Sequence, residues 1–268
     1  MMDQIFKSLS KAKIFDLAQP FQKGMPQSPN HPPYRMVLER RHGDLIRPDG
    51  GSASNEIIVT GAHVGTHIDG LAHVSQDGKM FGGINAYEVQ SADGFSELGI
   101  ETMTPFVGRG VLLDIAGLKG EKFLPAGYGI SADDLAAAEK IAGVNVAAGD
   151  AVLVGSGWSR RWNEKAEFIG LADGVPGVDE SGAEWLAEKQ IRIAAGETIA
   201  FEQIAAGAGH RTLPVHRILL VENGIHIMET LKLDELLDAK VHEFIFVVSP
   251  LRLVGATGSP VRPLALVL

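Results

Sequence analysis

The sequence predicts a single α/β domain spanning residues 1–268. Short apolar runs suited to buried strands, such as Val111-Leu112-Leu113 and residues 150–155, alternate with capped helical stretches in the middle of the chain. No internal repeat and no linker composition divides the 268 residues, a length that one large core can organise. Hydrophobic residues make up 45% and charged residues 21%, the proportions of an ordinary globular chain.

Residues 1–12 read as a short polar-apolar N-terminal arm, and residues 13–17 as a first strand. Pro20, Pro26, Pro29, Pro32 and Pro33 keep residues 18–33 irregular; this long loop, with Phe21 and Met25, reads equally as a surface connector or a substrate wall. Residues 34–41 and 55–63 form two strands joined through the turn signal Pro48-Asp49-Gly50-Gly51-Ser52. The apolar run Ile57-Ile58-Val59 predicts that the second of these is buried. Residues 80–89 read as loop and 109–116 as strand.

Ser131 and Asp134 have the spacing of a capping box opening a helix over 131–141, and Gly143 closes it. Ser181-Gly182-Ala183-Glu184 caps a second helix carrying Trp185, and a strand follows at 191–194. Pro214 suits the first turn of a short helix over 215–221. Residues 225–229, 243–248 and 261–268 complete the strands, with one helical turn at 233–237.

The chemistry gathers in Gly61-Ala62-His63-Val64-Gly65-Thr66-His67-Ile68-Asp69-Gly70-Leu71-Ala72-His73, which holds three of the nine histidines and an aspartate. Imidazole nitrogens and carboxylate oxygens are the donors that zinc, manganese or iron(II) accept. A straight strand would hold His63 and His73 roughly 33 Å apart, at ~3.3 Å per residue. The chain must therefore bend, and Gly65 and Gly70 are where it can. The expectation is a strand ending in a tight turn at which the side chains converge. Such a bend can hold one ion or share Asp69 between two. His216 and Glu229 are the best candidates for further groups, because a carboxylate ending an apolar strand is costly unless partnered. His210, His226 and His242 rank below them, with His226 placed either in the core or at the site. Phe21, Phe81, Trp158 and Trp162 are candidate pocket walls, though aromatic side chains more often serve the core.

Composition excludes several alternatives. A net charge of −9 with no Lys/Arg run argues against nucleic acid. The absence of cysteine rules out disulfides, thiolate metal sites and a cysteine nucleophile. No apolar run reaches membrane-spanning length, and no signal-peptide pattern opens the sequence, so a cytoplasmic protein is expected. Gly155-Ser156-Gly157 lacks the nucleophile-elbow spacing, and Gly207-Ala208-Gly209 lacks the setting of a dinucleotide loop.

The run His63-Val64-Gly65-Thr66-His67-Ile68-Asp69 followed by His73 resembles the H-x-G-T-H-x-D-x-P-x-H signature of the metal-dependent cyclase-like hydrolases, which include bacterial kynurenine formamidases and isatin hydrolases. Gly24-Met25-Pro26, Trp185-Leu186-Ala187-Glu188, Pro214-Val215-His216-Arg217 and Ile227-Met228-Glu229-Thr230-Leu231 extend the likeness over most of the chain. Leu71 stands where the signature has proline, which leaves the turn before His73 freer.

The resemblance implies a swivelling β/β/α fold with a mixed central sheet and few helices, assembled as dimers or tetramers. It implies hydrolysis of a C–N amide bond in a small aryl-formamide or cyclic amide by water activated on Zn2+ or Mn2+. His63, His67 and Asp69 would hold the first ion. His73 would act as general base, or join His216 and Glu229 around a second. A lyase or dehydratase using the same site, and a non-catalytic metal-binding module, are the competing expectations.

Overall fold

The computed structural model describes residues 2–268. A helix, Met2–Leu9, precedes β1 (Lys13–Asp16). A hairpin of β2 (Arg35–Arg40) and β3 (Asn55–Val59) leads to β4 (His67–Asp69). A small ribbon, β5 (Gln90–Ser91) with β6 (Gly94–Phe95), precedes the long β7 (Phe106–Asp114). Next come β8 (Gly129–Ile130), β9 (Ala151–Gly155), β10 (Gly177–Val178) and β11 (Ile193–Gly196). The chain ends with β12 (His226–Glu229), β13 (Glu243–Val248), β14 (Gly258–Pro260) and β15 (Leu264–Val267).

Nine of these strands form one mixed sheet in the order β1-β15-β13-β7-β9-β11-β12-β4-β14. Its centre, β7, β9, β11 and β12, is parallel. Both flanks are antiparallel. A parallel centre is buried on both faces, which explains the continuous apolar runs Val111-Leu112-Leu113 and Ala151-Val152-Leu153-Val154 in place of alternation with polar residues. Val111, Leu113, Val152, Val154, Ala194 and Ile227 face the helices Ala132–Ala142 and Glu180–Glu188 through Leu135, Ala138, Ala183 and Leu186. Their neighbours Leu112, Leu153, Ile193 and Met228 face the opposite side, with Phe15, Ile68, Leu236 and Phe246. The expected α/β class, mixed sheet and few helices are all present.

Local signals account for most element ends. Ser131 and Asp134 cap the helix Ala132–Ala142 reciprocally, and Gly143 terminates it in the left-handed region. The cap of the next helix is Asp179, whose carboxylate accepts from the Gly182 amide, so the helix starts earlier than Ser181 suggested. Pro214 opens the helix Pro214–His216, which widens into a π-helical stretch over Arg217–Glu222.

Four expectations are corrected. The N-terminal arm is a helix over Met2–Leu9, with none of its residues buried. Residues 80–89 contain two short helical turns, Phe81–Gly83 and Ala86–Val89, the second capped by Asn85. The last strand is shorter than 261–268, being β15 at Leu264–Val267, and β14 precedes it as a separate strand. Most consequential, β3 ends at Val59, and every residue of β2 and β3 is exposed. The Ile57-Ile58-Val59 run is therefore not a core strand: its hairpin pairs only with itself and leaves Met36, Val37, Leu38 and those three residues open. Apolarity marks a strand for burial without saying what buries it.

Leu153 is fully buried at the centre of the sheet. Leu153→Ala should destabilise the chain by about 2–5 kcal/mol, from lost burial plus the cavity left behind. A lowered urea midpoint with an unchanged slope is the expected reading.

Candidate metal centre

Strand β4 is only three residues long, but its setting builds the site. It lies between β12 and β14, with His67 opposite Glu229 on one side and Asp69 opposite Gly258 on the other. Side chains alternate along a strand, so Ile68 enters the core while His67 and Asp69 share the other face. The bend expected at Gly65 is a turn through that residue, whose φ of 65° places it in the left-handed region. A side chain there is also excluded by the Phe21 ring, 2.7 Å from where a Cβ would sit.

This turn carries His63 back until its Nδ1 lies 2.7 Å from Asp69 Oδ1. After the strand, the His73 amide donates to the Gly70 carbonyl at 3.0 Å, closing a second turn. That turn stacks His73 on His63, with ring centres 3.8 Å apart. Strand β4 thus follows the first turn, whereas the sequence placed a strand before it. Gly70 serves by close approach to the Thr257 carbonyl and Ile100, not by a left-handed backbone.

The remote candidates arrive from two elements. His216 projects from the helix opened by Pro214, and Glu229 ends β12. His216 Nε2 lies 3.2 Å from Glu229 Oε1 and 3.7 Å from Asp69 Oδ2. His67 Nε2 is 3.6 Å from Asp69 Oδ1 and 3.5 Å from Glu229 Oε2. The structure therefore brings His63, His67, Asp69, His73, His216 and Glu229 together. Five of them, all but the more deeply buried Asp69, line a cavity of about 200 Å³ with Ile199, Ala200 and Leu213 as its apolar wall.

The outward hydrogen bonds leave donor atoms pointing inward. His67 Nδ1 donates to the Gly65 carbonyl at 2.7 Å, which frees Nε2. His216 Nδ1 donates to Glu202 Oε1 at 2.6 Å, with the same effect. His63 Nε2 pairs with the Thr257 hydroxyl at 2.9 Å. Asp69 Oδ2 is buried and has no hydrogen-bond partner among the described residues. Such an atom is expensive unless a cation completes it. Two donor sets, His63/Asp69/His73 and His67/Asp69/Glu229, each lie within 4.8 Å of one another, and both contain Asp69. An all-nitrogen-and-oxygen set of this kind fits a divalent zinc or manganese ion.

Electrostatics follow from the packing. Burial would raise the Asp69 pKa, but His73, His63 and His67 hold it well below the usual carboxylate range. Burial pushes the pKa of His73 down to about 3, assisted by His63 and His216. Burial opposes charge on His216 too, yet hydrogen bonds to Glu202 and Glu229 outweigh it and push its pKa up to about 10.

Asn30 and His31 escaped the sequence reading, and the three lower-ranked histidines have different fates. His226 donates to the Asp69 carbonyl at 2.8 Å, so it supports the site without entering the cavity. Asn30 and His31, from the proline-rich loop, line the cavity with His210. The Asn30 amide lies 3.2 Å from His210 Nδ1 and joins the two loops. Burial, with repulsion from His63, pushes the His31 pKa down to about 4. His242, by contrast, pairs with the Leu112 carbonyl away from the site. None of the four proposed aromatic walls lines the cavity. Trp158 and Trp162 lie in a buried cluster with Met25 and Phe168, Phe21 packs on Gly65, and Phe81 packs against Gly224. No residue pattern announced Glu202 or Thr257.

Fold and cavity together define a mixed α/β protein with a buried His/Asp/Glu centre at one flank of its sheet. The family model Cyclase ("Putative cyclase") matches residues 15–203, and the chain belongs to that family. Over 214 residues it is 27% identical to an isatin hydrolase from Roseibium aggregatum, covering 78% of this chain and 73% of that protein. Over 256 residues it is 23% identical to a kynurenine formamidase from Bacillus mycoides, covering 95% and 97% respectively. A crystal structure described as a novel cyclase superposes with a TM-score of 0.85 at 28% identity, covering 98% of this chain and 91% of that one. Among the described residues, no helix is long and apolar enough to cross a membrane.

Gly258, opposite Asp69, leaves room for the His63 ring, whose Cε1 would lie 2.5 Å from an added Cβ. Gly258→Ala should displace that ring and cost about 1–3 kcal/mol through overpacking. The check is a shifted His63 imidazole NMR signal together with a lowered denaturation midpoint.

Proposed function

We propose that this chain is a metal-dependent hydrolase that cleaves the C–N bond of a small aryl-formamide or cyclic amide. The observation that carries this reading is the convergence of four histidines and two carboxylates around Asp69, whose Oδ2 lacks a protein partner, beside a small cavity. The names of the two curated relatives support the reaction class.

In this reading His63, His67 and Asp69 hold a Zn2+ or Mn2+ ion, and His216 and Glu229 complete its shell or, with Asp69, hold a second. Bound there, a divalent ion supplies Lewis acidity for the substrate carbonyl and makes water acidic enough to attack near neutral pH. The protein supplies orientation and proton transfer. His73 stacks against His63, and burial keeps its ring uncharged at neutral pH, so a lone pair is available. It takes a proton from the attacking water as the new C–O bond forms. It returns that proton to the departing nitrogen as the C–N bond breaks. The products are a carboxylate and an amine, joined in one molecule when the substrate is cyclic.

Ile199, Ala200 and Leu213 present an apolar surface to the substrate body, while Asn30, His31 and His210 offer hydrogen-bonding groups. A cavity of about 200 Å³ suits a molecule of one or two rings rather than a peptide.

The chain also works, we propose, as a homo-oligomer. A two-stranded hairpin is marginally stable alone. The β2–β3 hairpin presents Met36, Val37, Leu38, Ile57, Ile58 and Val59 as exposed apolar surface. A second copy would cover it.

The primary experiment compares turnover of N-formylkynurenine, isatin and a γ-lactam by metal-loaded and chelator-treated protein. Turnover of one of them, abolished by chelator, is expected. An unsaturated product instead of a carboxylate would refute hydrolysis. His73→Ala should retain metal and lose at least about 100-fold in turnover, the low end for general base catalysis. His67→Ala and Asp69→Ala should lose metal by elemental analysis. For assembly, the double variant Val37→Asp, Ile58→Lys should lower the mass measured by light scattering; unchanged mass would remove the hairpin from the interface.

A further inference from the structure

We propose that Glu202 is the positioning residue of the metal centre, aiming His216 at Asp69 and Glu229. This rests on the reading of the cluster as a metal site. Glu202 is 1% exposed and is absent from the cavity lining. Both of its carboxylate oxygens are committed. Oε1 accepts from His216 Nδ1 at 2.6 Å and from the His216 amide at 3.1 Å, and Oε2 accepts from the Val215 amide at 3.4 Å. Glu202 therefore directs its oxygens to the turn that carries His216 rather than to the cavity, and its influence passes through His216.

The geometry suits that task. Holding ring and backbone amide of one residue with the same oxygen fixes both the side-chain torsion and the start of the helix that carries it. With Nδ1 bound outward, only Nε2 can face Asp69 Oδ2 and Glu229 Oε1. The chain next to Glu202 is itself anchored. The Gln203 amide donates to the Val178 carbonyl at 3.0 Å, and the Gln203 side chain donates to the Gly127 carbonyl at 2.7 Å. One residue earlier, Phe201 sits in the left-handed region, which turns the chain so that Glu202 points inward. A carboxylate receiving Nδ1–H fixes the tautomer and makes the opposite nitrogen a better donor to a cation.

The full-length chain, stripped of metal, is compared as wild type, Glu202→Ala and Glu202→Gln. Zn2+ affinity is measured by chelator competition, the visible spectrum is recorded after loading with Co2+, and stability is measured on the metal-free forms. Glu202→Ala should weaken Zn2+ binding by about 10–100-fold, the usual effect of removing such a support. Its cobalt bands should shift as His216 loses its fixed aim. Glu202→Gln keeps an oxygen for Nδ1–H and should recover part of the lost affinity.

A folded Glu202→Ala chain with wild-type affinity and wild-type cobalt bands would overturn the role of Glu202 alone. So would equal losses in the two variants that merely follow their stability, since a structural role predicts no rescue by Gln. A wild-type chain that takes up neither Zn2+ nor Co2+ would overturn the metal centre itself, a result distinct from the other two.

Discussion

Burial of the Asp69 carboxylate is the constraint on which the site depends. This side chain is completely enclosed, and one oxygen is paired to His63 while the other has no hydrogen-bond partner among the described residues. Glu229 and Glu202 are also buried nearby, so three carboxylates share a region from which water is largely excluded. Removing even one carboxylate from water costs several kcal/mol unless it meets compensating charge. Histidines provide part of that compensation: His216 bridges Glu202 and Glu229, and His63 and His67 face Asp69. The remaining deficit is the electrostatic reason for a divalent cation, and it falls at the atom both donor sets share.

The sheet makes such a concentration possible. Sequence neighbours alone could not supply it, because a strand offers only alternate side chains to one face. Placing the three-residue β4 between β12 and β14 brings Glu229 beside His67 and Gly258 beside Asp69. The antiparallel edge tolerates the short strand because the parallel centre, buried on both faces, provides the stability. Rigidity and chemistry are thus divided between neighbouring parts of one sheet.

Much of this was legible in the sequence, for identifiable reasons. The capping box at Ser131, the glycine at 143 and the apolar runs of β7 and β9 are local signals, and local physics decides them. The His63–His73 motif was legible because four donor residues crowd a stretch too glycine-rich for a helix. His216 and Glu229 stood out as polar groups in apolar surroundings. What failed was any inference about what a segment meets. Ile57-Ile58-Val59 has the composition of a core strand but lies in an exposed hairpin, and the tryptophans proposed for the pocket pack behind it. Asp179 rather than Ser181 caps its helix, because two capping side chains two residues apart leave the choice to geometry. Glu202 carried no signal, since its meaning arises only when the chain after β11 passes beneath the helix bearing His216.

The surroundings of the centre separate by origin in a way that bears on specificity. Two of the groups that aim the histidines, Gly65 and Thr257, lie beside the strands β4 and β14, and Glu202 follows β11. The groups that would meet a substrate, Asn30, His31, His210 and Leu213, lie on two loops linked by the Asn30–His210 contact. Loops accept substitution more readily than a strand whose every neighbour is fixed by register. A fold of this kind can therefore retain its donor set while its substrate changes. Identities of only 23–28% across full-length matches are what that division of labour permits. In the proposed reaction, the choice between an open-chain formamide and a cyclic amide rests with the two loops, whereas the centre they enclose sets the reaction.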